Sequence, residues 1–444
     1  MEKALHGVEP AGLVVVYGRR RLGKSTLIKR VLRKGDLYFM ADNSLATQQR
    51  RLLAELISTK YKNFASAEYV GWEALFLHLN DLATEHFTLC LDEFPMLVRS
   101  DSSLPSVLQK LLDTKQLRYT ILLCGSAQQM MQGLVLDATE PLYGRADALV
   151  RLTPIKIAYL QEVLGTDAVV TIEEYSVWGG VPRYWELRER ANSLMEAVKD
   201  TLLTTNGTLY DEPTRLFMDD LQQTSLSSTL LSLIGNGAHR LVEIAARMGK
   251  PATELNRPLA KLTSLGFVEV ERPFGETVRS SKRSLYKIAD PFMAFFYRFI
   301  LPNRSLIALE RTDVVAEMIG RQMSQYVAVE WERLCRRAVS GNVVCGTRWG
   351  TASRWWGTID RGRMVEFDLV AESLDGGKVL VGECKWTEGE ETVGLLAGLM
   401  ERSKGCPFVK GREVVPVVFL KRPARDGVVS NVFLPDHVVA DNFE

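Results

Sequence analysis

One stretch near the start of the sequence restricts the possible folds more than any other, the run LVVVYGRRRLGKSTLIKR at Leu13–Arg30. It begins with a short apolar run typical of a buried strand, and Lys24 to Leu32 has the pattern of a helix. Between them two glycines stand in the pattern G-x-x-x-x-G-K-S, from Gly18 to Ser25. Such a turn directs backbone N–H groups and the positive end of a helix dipole at a phosphate. The stretch therefore predicts a phosphate-binding loop, the P-loop.

The residues of this loop have separate expected roles. Lys24 is expected to reach the β- and γ-phosphates, and the Ser25 hydroxyl is expected to bind Mg²⁺. The other residues expected to surround the phosphates are Gly18, Arg19, Arg20, Arg21, Leu22, Gly23 and Thr26. The alternative is a glycine turn that happens to precede a lysine, which leaves the flanking strand and helix unexplained. ATP and Mg²⁺ are the ligands that the pattern predicts.

A later buried strand ends in two acidic residues. Phe87–Leu91 is followed by Asp92 and Glu93, and we expect this strand to be a neighbour of the first. Asp92 would hold the Mg²⁺ shell, and Glu93 would orient and polarise the attacking water. An acidic pair that merely ends a strand is the alternative. The position of the pair, on the next long buried strand after the P-loop, favours the catalytic interpretation.

Two further candidates each have two interpretations. Ser126 follows the predicted strand Tyr119–Cys124, and it either senses the γ-phosphate or caps the next helix. Arg145 precedes the predicted strand Ala146–Leu152, and it either stabilises charge in the transition state or pairs with a surface carboxylate. The alternation of strands and helices over residues 1–152 predicts a P-loop α/β core with a parallel sheet and right-handed crossovers.

The next part of the chain is predicted to be mostly helical. Residues 153–220 are expected to form a helical lid, with the turn Gly179–Tyr184, which contains Pro182, on the adenine side of the nucleotide. A plain interhelical turn is the alternative. Residues 221–290 contain three predicted helices and then two strands, the order of a winged helix, and residues 291–320 are expected to form a linker.

The predicted winged helix carries a basic loop suited to DNA phosphates. Arg279, Lys282 and Arg283 stand in the hairpin loop with no acid between them. The third helix offers less, because it contains Pro258, which is expected to bend or break it. Packing against protein therefore remains an equal alternative to DNA binding for this segment.

The last part, residues 321–444, contains a predicted hairpin of Val365–Ala371 and Lys378–Trp386. A two-residue turn is expected at Asp375-Gly376 or at Gly376-Gly377, both favoured fillings of such a turn. The two turns give two different pairings of the strands. A three-residue loop would give a third.

The pairing decides which side chains meet on this hairpin. The two possible turns set Asp368 opposite Glu383 or opposite Lys385, and both place these three residues on one face. A three-residue loop would set Asp368 opposite Cys384 and separate the group. The pattern D-x(14)-E-x-K is the metal site of PD-(D/E)xK nucleases: Asp368 and Glu383 would hold Mg²⁺, Lys385 would activate water, and Glu330 from the preceding helix would add a ligand. An ion-paired sheet face without activity is the alternative.

The composition excludes several classes of protein. The net charge of +1 means that contact with nucleic acid must come from local patches. The six cysteines show no close pairing, which argues against a disulfide framework or a zinc site. No apolar run of the length that spans a membrane and no signal peptide are present, so we expect a cytoplasmic protein without a membrane partner.

Together these motifs resemble the archaeal-type ATPases of the AAA+/STAND group. The matching pieces are GRRRLGKST, LCLDEFP, CGSA, PLYGR and GGVPRYW, followed by the winged helix and by EFDLV and GECKW of a PD-(D/E)xK nuclease-like (restriction-endonuclease-like) α/β domain. The resemblance implies ATP binding and hydrolysis at Lys24, Ser25, Asp92 and Glu93. An Arg-Glu-x-x-Leu-type motif usually precedes the first strand and is absent here, which leaves open a truncated start or a different adenine pocket.

The resemblance leaves the biological role open between different classes. One is an ATPase that acts on double-stranded DNA through its winged helix and nuclease-like region. Another is an ATP-switched regulatory scaffold with an inactive nuclease fold, which would act through a protein partner or self-association. A transcription regulator that works through the winged helix is a third.

Overall fold

The computed structural model describes residues 1–7, 12–115, 117–220, 224–277, 283–359, 362–423 and 430–443. The chain divides into two compact units. The first unit consists of Met1–Pro154 with Arg215–Gln222, and the second of Ile155–Thr214 with Gln223–Glu444. The finer subdivision into lid, winged helix, linker and last domain remains a prediction.

A five-stranded parallel sheet forms the centre of the first unit. Its strands are β1 (Leu13–Tyr17), β2 (Leu37–Met40), β3 (Thr88–Asp92), β4 (Thr120–Gly125) and β5 (Ala148–Arg151). The order across the sheet is β2-β3-β4-β1-β5, with every pair parallel. The predicted parallel α/β core is confirmed. The expectation that the acidic pair lies on a strand next to β1 is wrong, because β4 lies between β1 and β3 and the order of strands in the chain does not set their order in a parallel sheet.

Alternate side chains of β1 enter two different cores, as expected for a strand covered on both faces. Leu13, Val15 and Tyr17 belong to the larger core. Val14 and Val16 pack in the smaller core, together with apolar residues that include Leu5 and Ile28. The complete burial of β1 fixes the position of the P-loop that follows it.

Seven helices lie in the first unit, within the part of the chain that the structure describes. They are α1 (Glu2–His6), α2 (Lys24–Val31), α3 (Ala46–Ser58), α4 (Trp72–Leu82), α5 (Phe94–Ser100), α6 (Leu104–Asp113) and α7 (Gln128–Leu136). The sequence analysis did not predict α1, because the glycines and proline in this segment indicated irregular structure. It also missed α5, in which Pro95 stands in the first turn, where a helix tolerates proline.

The second unit begins with a run of helices and a small hairpin. These elements are α8 (Ile157–Leu164), α9 (Ala168–Trp178), α10 (Pro182–Arg188), α11 (Leu194–Leu202), α12 (Glu212–Asp220), α13 (Thr224–Gly235), α14 (Leu241–Met248), α15 (Ala252–Ser264), β6 (Val268–Glu271) and β7 (Leu285–Ile288). The C-terminal part of α12, from Arg215, belongs to the first unit. Helices α13 to α15 and the antiparallel pair β6–β7 follow the predicted order of three helices and a hairpin.

Pro258 lies inside α15 without ending it. The expectation of a broken helix is therefore wrong. Three buried leucines, Leu255, Leu259 and Leu262, anchor the helix on both sides of the proline. Their burial offsets the single backbone hydrogen bond that proline cannot donate. In the loop of the hairpin, Arg279 and Lys282 lie outside the described residues.

The remaining helices of the second unit are α16 (Pro291–Phe295), α17 (Arg304–Ala308), α18 (Thr312–Val339), α19 (Thr392–Ser403) and α20 (Pro435–Val439). Its remaining strands are β8 (Val343–Val344), β9 (Thr347–Arg348), β10 (Ser353–Thr358), β11 (Met364–Glu372), β12 (Lys378–Glu390), β13 (Glu413–Pro423) and β14 (Val432–Phe433). Strands β10 to β14 form one mixed sheet in chain order. The predicted helix at the start of this region begins nearer the N-terminus than expected, at Thr312.

Helices cover both faces of this mixed sheet. On one face, Leu399 of α19 packs with Val379 and Val381 of β12. On the other, Trp331 of α18 lies against Trp386, with ring centroids 5.2 Å apart. The candidate residues of β11 and β12 are thus held between two helix layers. Among the described residues, no helix is both long enough and apolar enough to cross a membrane.

Candidate functional sites

The P-loop joins β1 to α2 through a backbone that needs two left-handed residues. Gly23, at the N-cap of α2, has φ of 80°, and Arg21 has φ of 69°. Gly18 leaves no room for a side chain, since a Cβ there would lie 2.8 Å from the carbonyl oxygen of Leu152. Glycine meets the demands at Gly23 and Gly18 at no steric cost. The predicted glycines are therefore required by the turn.

Lys24 lies over this loop and is only 7% exposed. Its Nζ donates hydrogen bonds to the carbonyl oxygens of Gly18, at 2.8 Å, and Arg19, at 3.1 Å. Arg19 and Leu22 are buried, whereas Arg20 and Thr26 are exposed. The structure thus brings the predicted loop residues together around one turn and holds the ammonium group above it.

Ser25 and Asp92 meet at the carboxyl ends of the strands. The Ser25 hydroxyl donates to Asp92 Oδ2 at 2.7 Å, and the backbone N–H of Glu93 donates to Asp92 Oδ1 at 2.9 Å. A hydroxyl and a carboxylate are ligands that Mg²⁺ accepts, and Mg²⁺ normally takes few protein ligands because it also binds water and phosphate oxygens. The chemistry of the pair therefore fits a Mg²⁺ ion, which Ser25 and Asp92 would hold.

Asp92 is ionised in this environment although it is only 1% exposed. Burial alone would raise the pKa of Asp92, but hydrogen bonds from Tyr38, Cys124 and Ser25 outweigh burial and lower it. A buried carboxylate with several donors keeps a fixed orientation and a full negative charge. Both properties suit a group that positions a divalent cation.

Tyr38, for which the sequence predicted only a place in a strand, is part of this site. Its hydroxyl donates to Asp92 Oδ2, the same oxygen that Ser25 contacts. Burial and the neighbouring Asp92 raise the pKa of the Tyr38 phenol, so it stays a donor. The signal in the sequence was a polar aromatic residue in a short strand of the parallel sheet, but it carries no indication of its partner.

Glu93 follows Asp92 in a left-handed backbone conformation, with φ of 52° and ψ of 43°. Such a conformation is uncommon for a residue with a side chain and occurs often at functional sites. The Ser126 hydroxyl donates to Glu93 Oε2 at 3.2 Å. This contact supports the predicted site role of Ser126, and the capping role stays an alternative.

Arg145 lies at the wrong edge of the sheet for the role predicted for it. The N–H of Asp147 donates to the carbonyl oxygen of Leu13, which places this segment at the amino-terminal edge. The P-loop follows the carboxyl end of the same strand, β1. Arg145 instead forms hydrogen bonds of 2.8 and 3.0 Å with the two carboxylate oxygens of Asp113. The structure contradicts a role for Arg145 at the phosphates of its own P-loop.

Pro182 begins α10 in the second unit, after Gly179, whose φ is 60°. Its predicted place on the adenine side of the nucleotide stays a prediction.

The hairpin β11–β12 has the register predicted for a turn at Asp375-Gly376. Leu369 pairs with Gly382 and Glu372 with Val379, so the same register sets Asp368 against Glu383. The turn itself is wider than predicted, because the N–H of Ser373 donates to Lys378 across four residues. The predicted hairpin pairing is thus confirmed, although its turn is not.

The ladder around Asp368 is irregular, but the Asp368 carboxylate still interacts with the charges of Glu383 and Lys385. The pairing of β11 with β10 shifts by one residue between Phe367 and Val370, which is a β-bulge. Asp368 Oδ2 accepts the N–H of Cys384 at 2.9 Å, where an unbroken ladder would use a backbone carbonyl. Burial, with the Glu332 carboxylate next in importance, raises the pKa of Asp368 to about 6.

The glutamate of α18 that influences Asp368 is Glu332, and the expectation that Glu330 joins the site is wrong. Glu330 Oε2 accepts from Arg333 Nη1 at 2.7 Å, in a fully buried ion pair. Burial raises the pKa of Glu330. Residues two apart on a helix point about 200° apart, so only one of the two glutamates can face β11.

Glu383 is held by two cations. Lys385 Nζ lies 2.8 Å from Glu383 Oε1, and Arg402 of α19 pairs with Oε2. Burial opposes ionisation of Glu383, but these two partners lower its pKa overall. Among the described residues, no three or more histidine, cysteine, aspartate or glutamate side chains are grouped so that they could hold a metal ion. A Mg²⁺ site of the two carboxylates Asp368 and Glu383 stays a prediction, and a metal there would have to displace a cation from Glu383.

Two protein families match separate parts of the chain. Residues 11–160 match a family described as AAA domain, and residues 296–395 match one described as archaea bacterial proteins of unknown function. The first match agrees with the parallel sheet and the P-loop of the first unit, which has the α/β fold of P-loop domains.

The chain also resembles individual proteins. It is 28% identical over 385 residues to an uncharacterized protein of Methanocaldococcus jannaschii, which covers 84% of this chain and 83% of that protein. A Walker-type ATPase of Pyrococcus abyssi superposes with a TM-score of 0.49 and 20% identity, over 65% of this chain and 91% of the other. The ORC2 protein of Aeropyrum pernix superposes with a TM-score of 0.43 and 17% identity, over 70% and 91%.

The substitution Tyr38→Phe tests the support of Asp92. It removes a hydrogen bond to an ionised acceptor, and we expect the free energy of unfolding to fall by about 1.5–3 kcal/mol. Urea denaturation followed by circular dichroism measures this change. Tyr61→Phe is the matched control, because the Tyr61 hydroxyl makes no hydrogen bond to any residue that the structure describes. Equal losses in the two variants would contradict a supporting role of Tyr38.

The substitution Asp368→Asn tests how much the buried charge of Asp368, at the β-bulge, destabilises the folded protein. Because the pKa of Asp368 is higher in the folded protein than in the unfolded chain, its contribution to stability is complete below about pH 4 and is lost as the pH rises through about 6. Between these limits the parent should lose on the order of 3 kcal/mol relative to Asp368→Asn. Denaturation at several pH values in a chelator measures this difference.

Asp375→Asn provides the control for that measurement. The Asp375 carboxylate accepts from Ser373 and from the N–H of Gly377, and these bonds lower its pKa. The pKa shift of Asp375 has the opposite sign to that of Asp368, so Asp375→Asn should give no gain in stability at neutral pH. Parallel pH profiles of the parent and the Asp368→Asn variant would contradict the raised pKa of Asp368.

Proposed function

We propose that the first unit binds Mg²⁺–ATP and hydrolyses it. The observation that carries this proposal is the contact of Ser25 with Asp92, which joins the P-loop to the end of β3 across the intervening strand. Lys24 would balance charge on the β- and γ-phosphates, and a Mg²⁺ ion held by Ser25 and Asp92 would supply further positive charge there. Charges held in fixed positions in this way would stabilise the transition state of phosphoryl transfer.

Glu93 is the proposed group that orients the attacking water. It follows Asp92 directly, so its carboxylate starts from the same edge of the sheet as the P-loop. The hydrogen bond from Ser126 gives Glu93 a second anchor at the end of β4. A carboxylate beside the phosphates accepts a proton from water and aims the oxygen in line with the leaving group.

Two substitutions separate binding from hydrolysis. Lys24→Ala should weaken ATP binding and abolish hydrolysis, because it removes the ammonium group from the loop. Glu93→Gln should keep ATP binding and lower the hydrolysis rate by about 10²–10⁴-fold, the usual contribution of a general base. A phosphate-release assay and a titration with a fluorescent ATP analogue measure these effects.

The matched controls are Lys34→Ala and Glu85→Gln, which change exposed residues of the same unit. Both should hydrolyse ATP like the parent. If Lys24→Ala and Glu93→Gln also hydrolysed ATP at the parental rate, the proposed site would be wrong.

For the second unit, the geometry favours a nucleotide-switched scaffold over a nuclease. Both oxygens of Glu383 are engaged by cations, through Lys385 and Arg402, and a divalent metal would have to displace them. Glu330, a predicted ligand, is committed to Arg333. An ion-paired sheet face of this kind has the fold that was predicted for a nuclease and lacks a ready metal site.

The hairpin β6–β7 also supports the scaffold proposal. Arg283, the basic loop residue that the structure describes, pairs with Glu276 and donates to the carbonyl oxygen of Trp356 at 2.7 Å. The N–H of Phe274 donates to the carbonyl oxygen of Arg354, and the Phe274 ring packs edge-on against the ring of Phe408. These contacts hold Phe274 and Arg283 within the second unit, although the Arg283 side chain is still 44% exposed.

Plasmid cleavage distinguishes these alternatives. With Mg²⁺ or Mn²⁺, and with ATP, ADP or no nucleotide, we expect no cleavage by the parent chain. Cleavage by the parent that disappeared in both Asp368→Ala and Lys385→Ala would establish the nuclease instead. The Glu366→Ala variant, which changes an exposed neighbour of the same strand, is the control in that case.

A further inference from the structure

A cavity of about 270 Å³ in the second unit is lined mainly by arginines. It lies between strand β6, the last turns of α18 and the segment that leads into β10. Its arginines are Arg272, Arg333, Arg336, Arg337 and Arg354. Two glutamates of β6 also line it, and Glu330, Glu332 and Glu366 pair with Arg333, Arg336 and Arg354 from around it. The arginines that retain unused donors are therefore the ones that matter for a ligand.

Two of the five arginines have structural roles. Arg333 pairs with Glu269 at 2.9 Å and donates to the carbonyl oxygen of Ile288 at 2.8 Å. Arg336 pairs with Glu271 at 3.1 Å and donates to the carbonyl oxygen of Asp368 at 2.9 Å. Both therefore tie the hairpin and β11 to α18. Their hydrogen bonds account for their presence without any ligand.

The other three arginines retain donors that the protein does not use, although Arg354 pairs with Glu366 and lies 3.6 Å from Glu271 through its terminal nitrogens. Arg272 and Arg354 each have a buried Nε with no hydrogen-bond partner among the described residues. Arg337 is exposed and has neither an ion pair nor a hydrogen bond within the part of the chain that the structure describes. Buried donors are nearly always satisfied in folded proteins, so unused donors of two cationic groups at one cavity indicate a missing anionic partner.

We propose that this cavity binds a phosphate group, carried by a nucleotide or by the end of a nucleic-acid strand. Arg272, Arg337 and Arg354 are its donors. The planar guanidinium group matches phosphate oxygens with paired hydrogen bonds, and it remains charged at any physiological pH. The volume is below the roughly 300–1,000 Å³ typical of pockets for larger ligands, which suits one phosphate and a small attached group. The site is separate from the P-loop and does not depend on ATP hydrolysis.

The test uses the full chain with Lys24→Ala, so that the P-loop contributes little phosphate binding. Calorimetric titrations use inorganic phosphate, AMP, and a short oligonucleotide with either a 5′-phosphate or a 5′-hydroxyl. In this background, the double substitution Arg272→Gln with Arg337→Gln should weaken phosphate binding about 10- to 100-fold. Arg321→Gln is the matched control, because Arg321 lies on the same helix, is exposed, and pairs with Glu317 outside the cavity.

The outcomes identify the source of the phosphate. Binding of AMP without the oligonucleotide indicates a nucleotide, and oligonucleotide binding that needs the 5′-phosphate indicates a nucleic-acid end; binding of inorganic phosphate alone supports the site with a free anion. The proposal is overturned if no probe binds, if the double variant binds like its parent, or if Arg321→Gln weakens binding equally. If the double variant does not fold, Arg337→Gln alone decides, since this side chain is exposed.

Discussion

The geometry of the first unit depends on one buried carboxylate, that of Asp92. It receives hydrogen bonds from Ser25 of the P-loop, from Tyr38 of β2 and from the backbone of Glu93. These donors come from different elements, so the carboxylate fixes the P-loop helix, β2 and the start of α5 relative to one another. A buried charge is tolerated only with such partners, and the same partners prepare the site for a divalent cation.

Glu271 is the buried carboxylate that joins several elements of the second unit. It pairs with Lys287 at 2.8 Å and Arg336 at 3.1 Å, and lies near Arg354. Burial alone would raise the pKa of Glu271, but these cations lower it overall. The carboxylate joins β7, α18 and β10, so the hairpin is held against the mixed sheet. Charges that a DNA-binding hairpin would present to phosphates are partly used inside the protein.

The sequence predicted most reliably what short-range patterns encode. The P-loop, its strand and helix, and the acidic pair at the end of a strand follow from local periodicity and glycine positions, and the structure contains all of them, although the strand of the acidic pair is not the expected neighbour of β1. The choice between Glu330 and Glu332 could not be made in this way, because the rotation of α18 about its axis is set by packing of residues such as Trp331. The bulge at Asp368 and the partner of Arg145 likewise depend on contacts distant in the chain.

The sequence by itself determined that a parallel α/β domain with a phosphate-binding loop begins this chain, because glycines, strand and helix are adjacent there. It also restricted the pairing of β11 with β12 to a few registers, among which the structure has the one that sets Asp368 against Glu383. Only the tertiary structure decided that β4 separates β1 from β3 and that Tyr38 supports Asp92. It also decided that Glu383 is neutralised by Arg402. Each of these depends on which distant surfaces pack together, and that choice is made by burial and charge pairing over the whole fold.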